Sequence, residues 1–143
     1  KEDGTGNVSY DPANHEYMCR MRAEKVNRMR ADIPDVVVEG DSDGLLVVSW
    51  GGTYGAVRSG VEAARAQGIR CGHVHLRWLN PMPANLGAVL EAADRILVCE
   101  LNLGQLAHVL RANYLVDAVS FAKMQGKPFK VSEILARIQT VSA

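Results

Sequence analysis

Two six-residue stretches, Leu45–Trp50 (LLVVSW) and Arg95–Glu100 (RILVCE), are apolar almost throughout and lack the alternation of a strand that shows one face to water. Runs of this kind belong to strands covered on both faces, the usual condition of a parallel sheet packed between helices. Between and after them the apolar residues recur with helical spacing. Val57, Val61 and Ala64 fit one helix that stops at Gly68, a favoured residue just past a helix end. Leu86, Val89, Leu90 and Ala93 fit a second, and Leu103, Leu106, Ala107 and Leu110 a third. Ile134, Leu135 and Ile138 mark a last helix with Ser132 as its N-cap. DVVVEG (35–40), IRCGHVHLRWL (69–79, with NPMP as its terminator) and YLVDAVSF (114–121) read as further strands. Strands alternating with helices make βαβ units, so the predicted class is α/β, a three-layer α/β/α domain around a mostly parallel sheet.

Ahead of this pattern lies a polar stretch of about ten residues. Asp11 is then placed as an N-cap with Pro12 at the first helical position, where a missing N–H costs nothing. The helix should run to about Arg30, with an apolar stripe of Met18, Met21, Val26 and Met29 that must lie on something. Residues 1–34 are therefore expected to be a linker and opening helix, and residues 35–143 one α/β domain. At 143 residues a single core is the expectation.

Lys plus Arg and Asp plus Glu both number 16, so no net field draws in nucleic acid or a membrane surface. No run approaches the length of a membrane helix. Cys19, Cys71 and Cys99 stand far apart, which disfavours a zinc site, a clustered iron–sulfur ligand set or a disulfide framework, and suits a reduced, cytoplasmic setting. The first residue is Lys1 and nothing resembles a signal peptide, so the expectation is a piece of something longer.

Gly51–Gly55 (GGTYG) lies at the carboxyl end of a buried strand, where open parallel sheets bind ligands. It fits neither phosphate-loop pattern: Thr53 stands where one needs a glycine, and the other needs a lysine. The plainer reading is a strand-to-helix turn, with glycines for close backbone approach and Thr53 as helix cap. Glu100, Asn102 and Gln105 gather at the equivalent end of RILVCE, near a helix start. Capping chemistry competes there with a site. His73 and His75 face one side of a strand, yet no third ligand completes a metal set, and imidazoles hydrogen-bonded at a packed surface are the expectation. DSDG (41–44) starts like a calcium loop but has Gly52 where a glutamate is required. The basic run at 20, 22, 25, 28 and 30 reads as a solvated helix face, and NVS (7–9) as an idle glycosylation triplet. No nucleophile–base arrangement can be argued from spacing.

Four ordered segments carry a resemblance: YDPANHEYMCRMRAEKV (10–26), SWGGTYGAV (49–57), LRWLNPMPANLGAVL (76–90) and CELNLGQLAHVLRANYLVD (99–117). With them the chain resembles the carboxyl-terminal region of the alpha subunit of 2-oxoacid:ferredoxin oxidoreductases, especially those acting on 2-oxoglutarate. It is also similar to the carboxyl-terminal domain of transketolase and of the pyruvate dehydrogenase beta chain. The resemblance implies a five-stranded mixed sheet in the order first, third, second, fourth, fifth, with VVVEG antiparallel. The second and fourth strands would then be neighbours, and Gly51, Gly52, Thr53, Asn102, Gly104 and Gln105 would rim one crevice as its candidate cofactor-binding residues.

The parent enzymes use thiamine diphosphate with Mg2+, 4Fe-4S clusters and coenzyme A to convert a 2-oxoacid to acyl-CoA, CO2 and reduced ferredoxin. The resemblance implies as partners the remaining alpha-subunit domains, the beta subunit and, through the complex, ferredoxin. The chain lacks the G-D-G diphosphate motif and the cluster cysteines of the whole enzyme, so no catalytic or metal residue is carried over. The domain is expected to be inactive by itself, to bind no cofactor alone, and to support and assemble the enzyme. The alternative is a coenzyme A or nucleotide-binding module built on the Gly51–Gly55 and Glu100–Gln105 loops.

Overall fold

The structure is a computed structural model that describes residues 1–142. Its sheet runs β1 (Glu39–Gly40), β3 (Cys71–Leu76), β2 (Leu45–Trp50), β4 (Arg95–Glu100), β5 (Ala118–Ala122). β1 pairs antiparallel with β3 and every other pair is parallel, so the mixed sheet has the strand order that the resemblance implied. The two apolar stretches β2 and β4 lie side by side in the interior of the sheet, which is why neither alternates.

Leu45, Val47, Cys71, Leu97 and Cys99 share one sheet face and pack with Val57, Val61 and Ala64 of α2 (Tyr54–Ala66) and Ile134 and Ile138 of α5 (Val131–Ser142). The intervening residues Leu46, Val48, Val74, Ile96 and Val98 point to the opposite face and are buried too. Leu86 and Leu90 of α3 (Leu86–Glu91) and Leu106 and Leu110 of α4 (Gln105–Tyr114) are likewise buried. Each such side chain contributes roughly 2 kcal/mol of burial. Cys71 and Cys99 lie in the first layer, and burial pushes their thiols up to about 11 and about 12.

Several expected elements are shorter than the sequence suggested. Only Glu39–Gly40 of DVVVEG joins the sheet. The Asn85 side chain instead engages the Val36 backbone, accepting its N–H at 2.9 Å and donating to its carbonyl at 2.9 Å, and Val37 is 75% exposed. β5 starts at Ala118 because Leu115, with φ of 55°, ends α4 in the left-handed region. α3 stops before Ala93, and Leu103 precedes α4. Ser132 lies inside α5, two residues past the Lys130 that precedes the helix, and so is not at the N-cap position. Glu133 instead reaches back to the helix start, accepting the Lys130 N–H at 2.7 Å and pairing with Lys123.

α1 (Pro12–Arg28) is capped as its sequence indicates: Asp11 accepts the N–H groups of Ala13 and Asn14 at 3.1 and 3.2 Å. None of its residues is buried within the chain, the expected stripe included. The chain forms two compact units, one of Lys1–Pro34 with Trp78–Ala84, the other of Asp35–Arg77 with Asn85–Ala143. The whole sheet belongs to the second.

Candidate functional site

Because β2 and β4 are parallel neighbours in register, with Ser49 opposite Cys99, the turns that follow them form two lips at one end of the sheet. Between them is a depression of about 150 Å³ lined by Trp50, Gly51, Gly52, Thr53, Leu101 and Asn102. Four of the six residues anticipated there, Gly51, Gly52, Thr53 and Asn102, line it. Gly104 and Gln105 do not.

The β4 lip satisfies itself. Glu100 is fully buried, and its two carboxyl oxygens accept the N–H groups of Leu106 at 2.9 Å and Ala107 at 3.0 Å, in the first turn of α4. Asn102 Oδ1 takes the N–H groups of Gly104 at 2.8 Å and Gln105 at 3.3 Å. The amides that a helix start offers to an anion are thus filled by the chain's own side chains. Gly104 makes this folding-back possible: its φ is 89°, and a Cβ there would meet Ser120 Oγ at 2.9 Å. Glu100 and Asn102 thus act as caps of α4, while Gln105 takes part through its backbone N–H.

The β2 lip is built differently. Thr53 Oγ1 accepts the Trp50 N–H at 3.2 Å and donates to the Trp50 carbonyl at 2.7 Å, closing a short 3-10 turn over Gly51–Thr53. It makes no cap bond to α2, which corrects the expected role of Thr53: its hydroxyl is turned back on the strand end. Gly51 needs its glycine for a φ of 60°, but a Cβ on Gly51 or Gly52 would meet nothing within 4 Å. The close backbone approach expected of these glycines is therefore absent among the described residues, and the turn faces outward. The Trp50 indole Nε1 is buried with no acceptor among the described residues.

Beneath this turn lies a polar cluster that the sequence shows only in part. Ser49 Oγ is 2.7 Å from His73 Nε2 and 2.8 Å from His75 Nδ1. The Tyr54 ring packs on both imidazoles, with centroids 5.6 Å from His73 and 5.0 Å from His75. Tyr54 Oη donates to Glu39 at 3.0 Å and accepts from Arg58 at 3.2 Å. His73 is 1% exposed, and burial lowers its pKa to about 4; His75 is lowered as well, by burial first and then by Arg77. The two histidines are hydrogen-bonded at a packed surface, as expected. Among the described residues no three His, Cys, Asp or Glu side chains gather as metal ligands. Ser49 and Tyr54 went unnoticed in the sequence; a lone serine inside an apolar strand and the HVH spacing were the available signals.

Comparison with known proteins bears on what these lips serve. Residues 44–134 match the pyruvate:ferredoxin oxidoreductase core domain II family. The chain belongs to that family. This core domain II chain is 44% identical over 135 residues to 2-oxoglutarate oxidoreductase subunit KorA of Mycobacterium tuberculosis, covering 92% of the chain and 20% of that protein. It is 30% identical over 148 residues to the alpha subunit of 2-oxoacid:ferredoxin oxidoreductase 2 of Aeropyrum pernix, covering 99% of the chain and 23% of that subunit. Among solved structures it superposes with a TM-score of 0.90 and 30% identity on a 2-oxoglutarate:ferredoxin oxidoreductase from Magnetococcus marinus that has 2-oxoglutarate, coenzyme A and succinyl-CoA bound. That match covers 99% of this chain and 26% of the other. A split-gene transketolase matches with a TM-score of 0.59 at 18% identity over 73% of this chain and 40% of its own, a likeness of fold. The chain thus spans about a fifth to a quarter of the relatives' length.

Proposed function

We propose that this core domain II is part of the alpha subunit of a 2-oxoglutarate:ferredoxin oxidoreductase, a cytoplasmic enzyme that forms succinyl-CoA, CO2 and reduced ferredoxin. In it the domain supports and positions the parts that carry the chemistry: the other alpha-subunit domains and the beta subunit. The observation that carries this reading is that three polar side chains at the carboxyl end of the sheet are already engaged within the fold, Glu100 and Asn102 by α4 and Thr53 by Trp50. Thiamine diphosphate, Mg2+ and 4Fe-4S clusters belong to other parts of the whole enzyme. The cysteines here do not suit a 4Fe-4S cluster, since Cys71 and Cys99 are buried with thiols held protonated and Cys19 is the one exposed cysteine, on α1. Positioning is a sufficient role, because a displacement of about 1 Å between reacting groups can cost a hundredfold in rate.

The test is reconstitution. Alpha subunit carrying this chain, assembled with its beta subunit, is expected to reduce ferredoxin in the presence of 2-oxoglutarate and coenzyme A, whereas residues 1–143 alone with thiamine diphosphate and Mg2+ release no CO2. CO2 release by the isolated chain would overturn the supporting role. Turnover of pyruvate in preference to 2-oxoglutarate would overturn the substrate.

A second reading is favoured by the outward-facing Gly51–Gly52 turn and the unpartnered Trp50 Nε1, which together could meet part of coenzyme A or a nucleotide. Titration of coenzyme A followed by amide NMR separates the two readings. Shifts of Gly51, Gly52, Asn102 and Gly104 support binding at the lips, and unmoved amides leave the supporting role.

A further inference from the structure

Three polar side chains with no part in the crevice chemistry lie under its β2 lip, on the sheet face that carries the largely apolar cluster of Leu45, Val47, Cys71, Leu97 and Cys99. Ser49 and His73 are fully buried and His75 is half-buried. Such groups are unfavourable in a core unless their hydrogen bonds close. A serine hydroxyl has one proton to give, so it can donate to only one of the two imidazole nitrogens that flank it.

The proton positions follow from what lies beyond. His73 Nδ1 is buried and has no partner among the described residues. If Ser49 donated to His73 Nε2, the neutral His73 would carry its proton on Nδ1, leaving a buried N–H with no acceptor, an arrangement that folded chains rarely contain. If both imidazoles donated to Ser49, its own O–H would be stranded. One arrangement leaves no buried proton unengaged: His73 Nε2–H donates to Ser49 Oγ, and Ser49 Oγ–H donates to His75 Nδ1. His75 then keeps its proton on Nε2.

We infer that Ser49, His73 and His75 form a one-directional hydrogen-bond relay that seats the Tyr54 ring and so positions the Gly51–Tyr54 turn. The link to the turn is direct, because Tyr54 follows Thr53 in sequence and its ring rests on both imidazoles. The outer edge of the ring is fixed by its hydroxyl between Glu39 and Arg58. A proton added to His75 must go to Nδ1, which turns the acceptor of the Ser49 proton into a donor and breaks the relay. The charged groups that face the pair are Glu39 of β1, which favours the added proton, and Arg58 of α2 and Arg77 past β3, which oppose it. The inference holds whatever occupies the crevice, and its failure would leave the supporting role of the domain untouched.

Nitrogen-15 NMR of the histidine rings in the 143-residue chain at neutral pH tests it. The expected spectrum has His73 protonated on Nε2 with a bare Nδ1, and His75 protonated on Nε2 with Nδ1 accepting. In Ser49→Ala the Gly51, Gly52 and Tyr54 amides are expected to shift and to exchange about tenfold faster, with α5 amides unchanged, and Ser49→Thr restores them. On acidification of the unaltered chain the same amides should move with the His75 midpoint. A proton on His73 Nδ1 would overturn the relay, and this reading does not depend on whether Ser49→Ala folds. Unmoved turn amides in a folded Ser49→Ala would overturn the positioning role.

Discussion

The two lips of the crevice follow neighbouring parallel strands and lead into helices of similar length, yet they treat their helix starts in opposite ways. At β4 the chain folds back through Gly104 and fills the first turn of α4 with Glu100 and Asn102. At β2 the Thr53 hydroxyl returns to Trp50 and the glycines face open space. Similar topology therefore does not mean similar availability. The first lip is a fastening that holds α4 to the sheet, and the second is a surface whose shape is set from beneath by Ser49, His73, His75 and Tyr54.

The sharpest way to break the contrast is at the fastening. Glu100→Ala would orphan two buried amides and open a cavity, at an expected cost of about 3 kcal/mol in urea unfolding. Glu100→Gln, which keeps one acceptor oxygen, should cost about 1 kcal/mol. Equal small losses in both would mean that α4 does not depend on this carboxyl group.

Acid tests the other lip. His73, with an ordinary value of 6.5, is lowered to about 4, so the unfolded chain takes up its proton first as the pH falls. Its contribution is fully present above pH 6.5 and is lost as the pH falls from there to about 4, roughly 3 kcal/mol in all. His75 acts in the same direction. Unfolding midpoints measured from pH 7.5 to 4 should fall steeply in the unaltered chain and less steeply in His73→Leu; parallel slopes would contradict the burial argument.

The smallest effects separate the two glycines of the open turn. Gly51→Ala must hold a φ of 60° with a side chain, at about 1 kcal/mol, while Gly52→Ala meets free space and should change stability by less than about 0.5 kcal/mol. If the lip docks on another part of the enzyme, Gly52→Trp should leave the thermal midpoint of the chain in place and lower the assembled activity. Unchanged activity would remove that lip from the interface.

How much of this could be read in the sequence depends on the range of the interaction. β2 and β4 were legible because burial on both faces writes itself as continuous apolar residues, and Asp11–Pro12 because capping is local. The Val36–Val38 stretch misled because β propensity says nothing of Asn85, 49 residues away, clasping the Val36 backbone. For the site, the crevice could be placed only with the strand order that the resemblance supplied. The engagement of Glu100 requires the reversal at Gly104, and the Ser49–His75 bond requires the β2–β3 register, neither of which local spacing encodes.

Burial of the two core thiols has a practical consequence for following assembly. Alkylating reagents attack thiolates they can reach, and Cys71 and Cys99 are both hidden and held protonated, whereas Cys19 is exposed on α1. A dye or spin label offered to the native chain thus has one place to attach, without any residue being replaced. That place is on a helix with no buried residue of its own, where a neighbouring subunit would be felt as a loss of labelling.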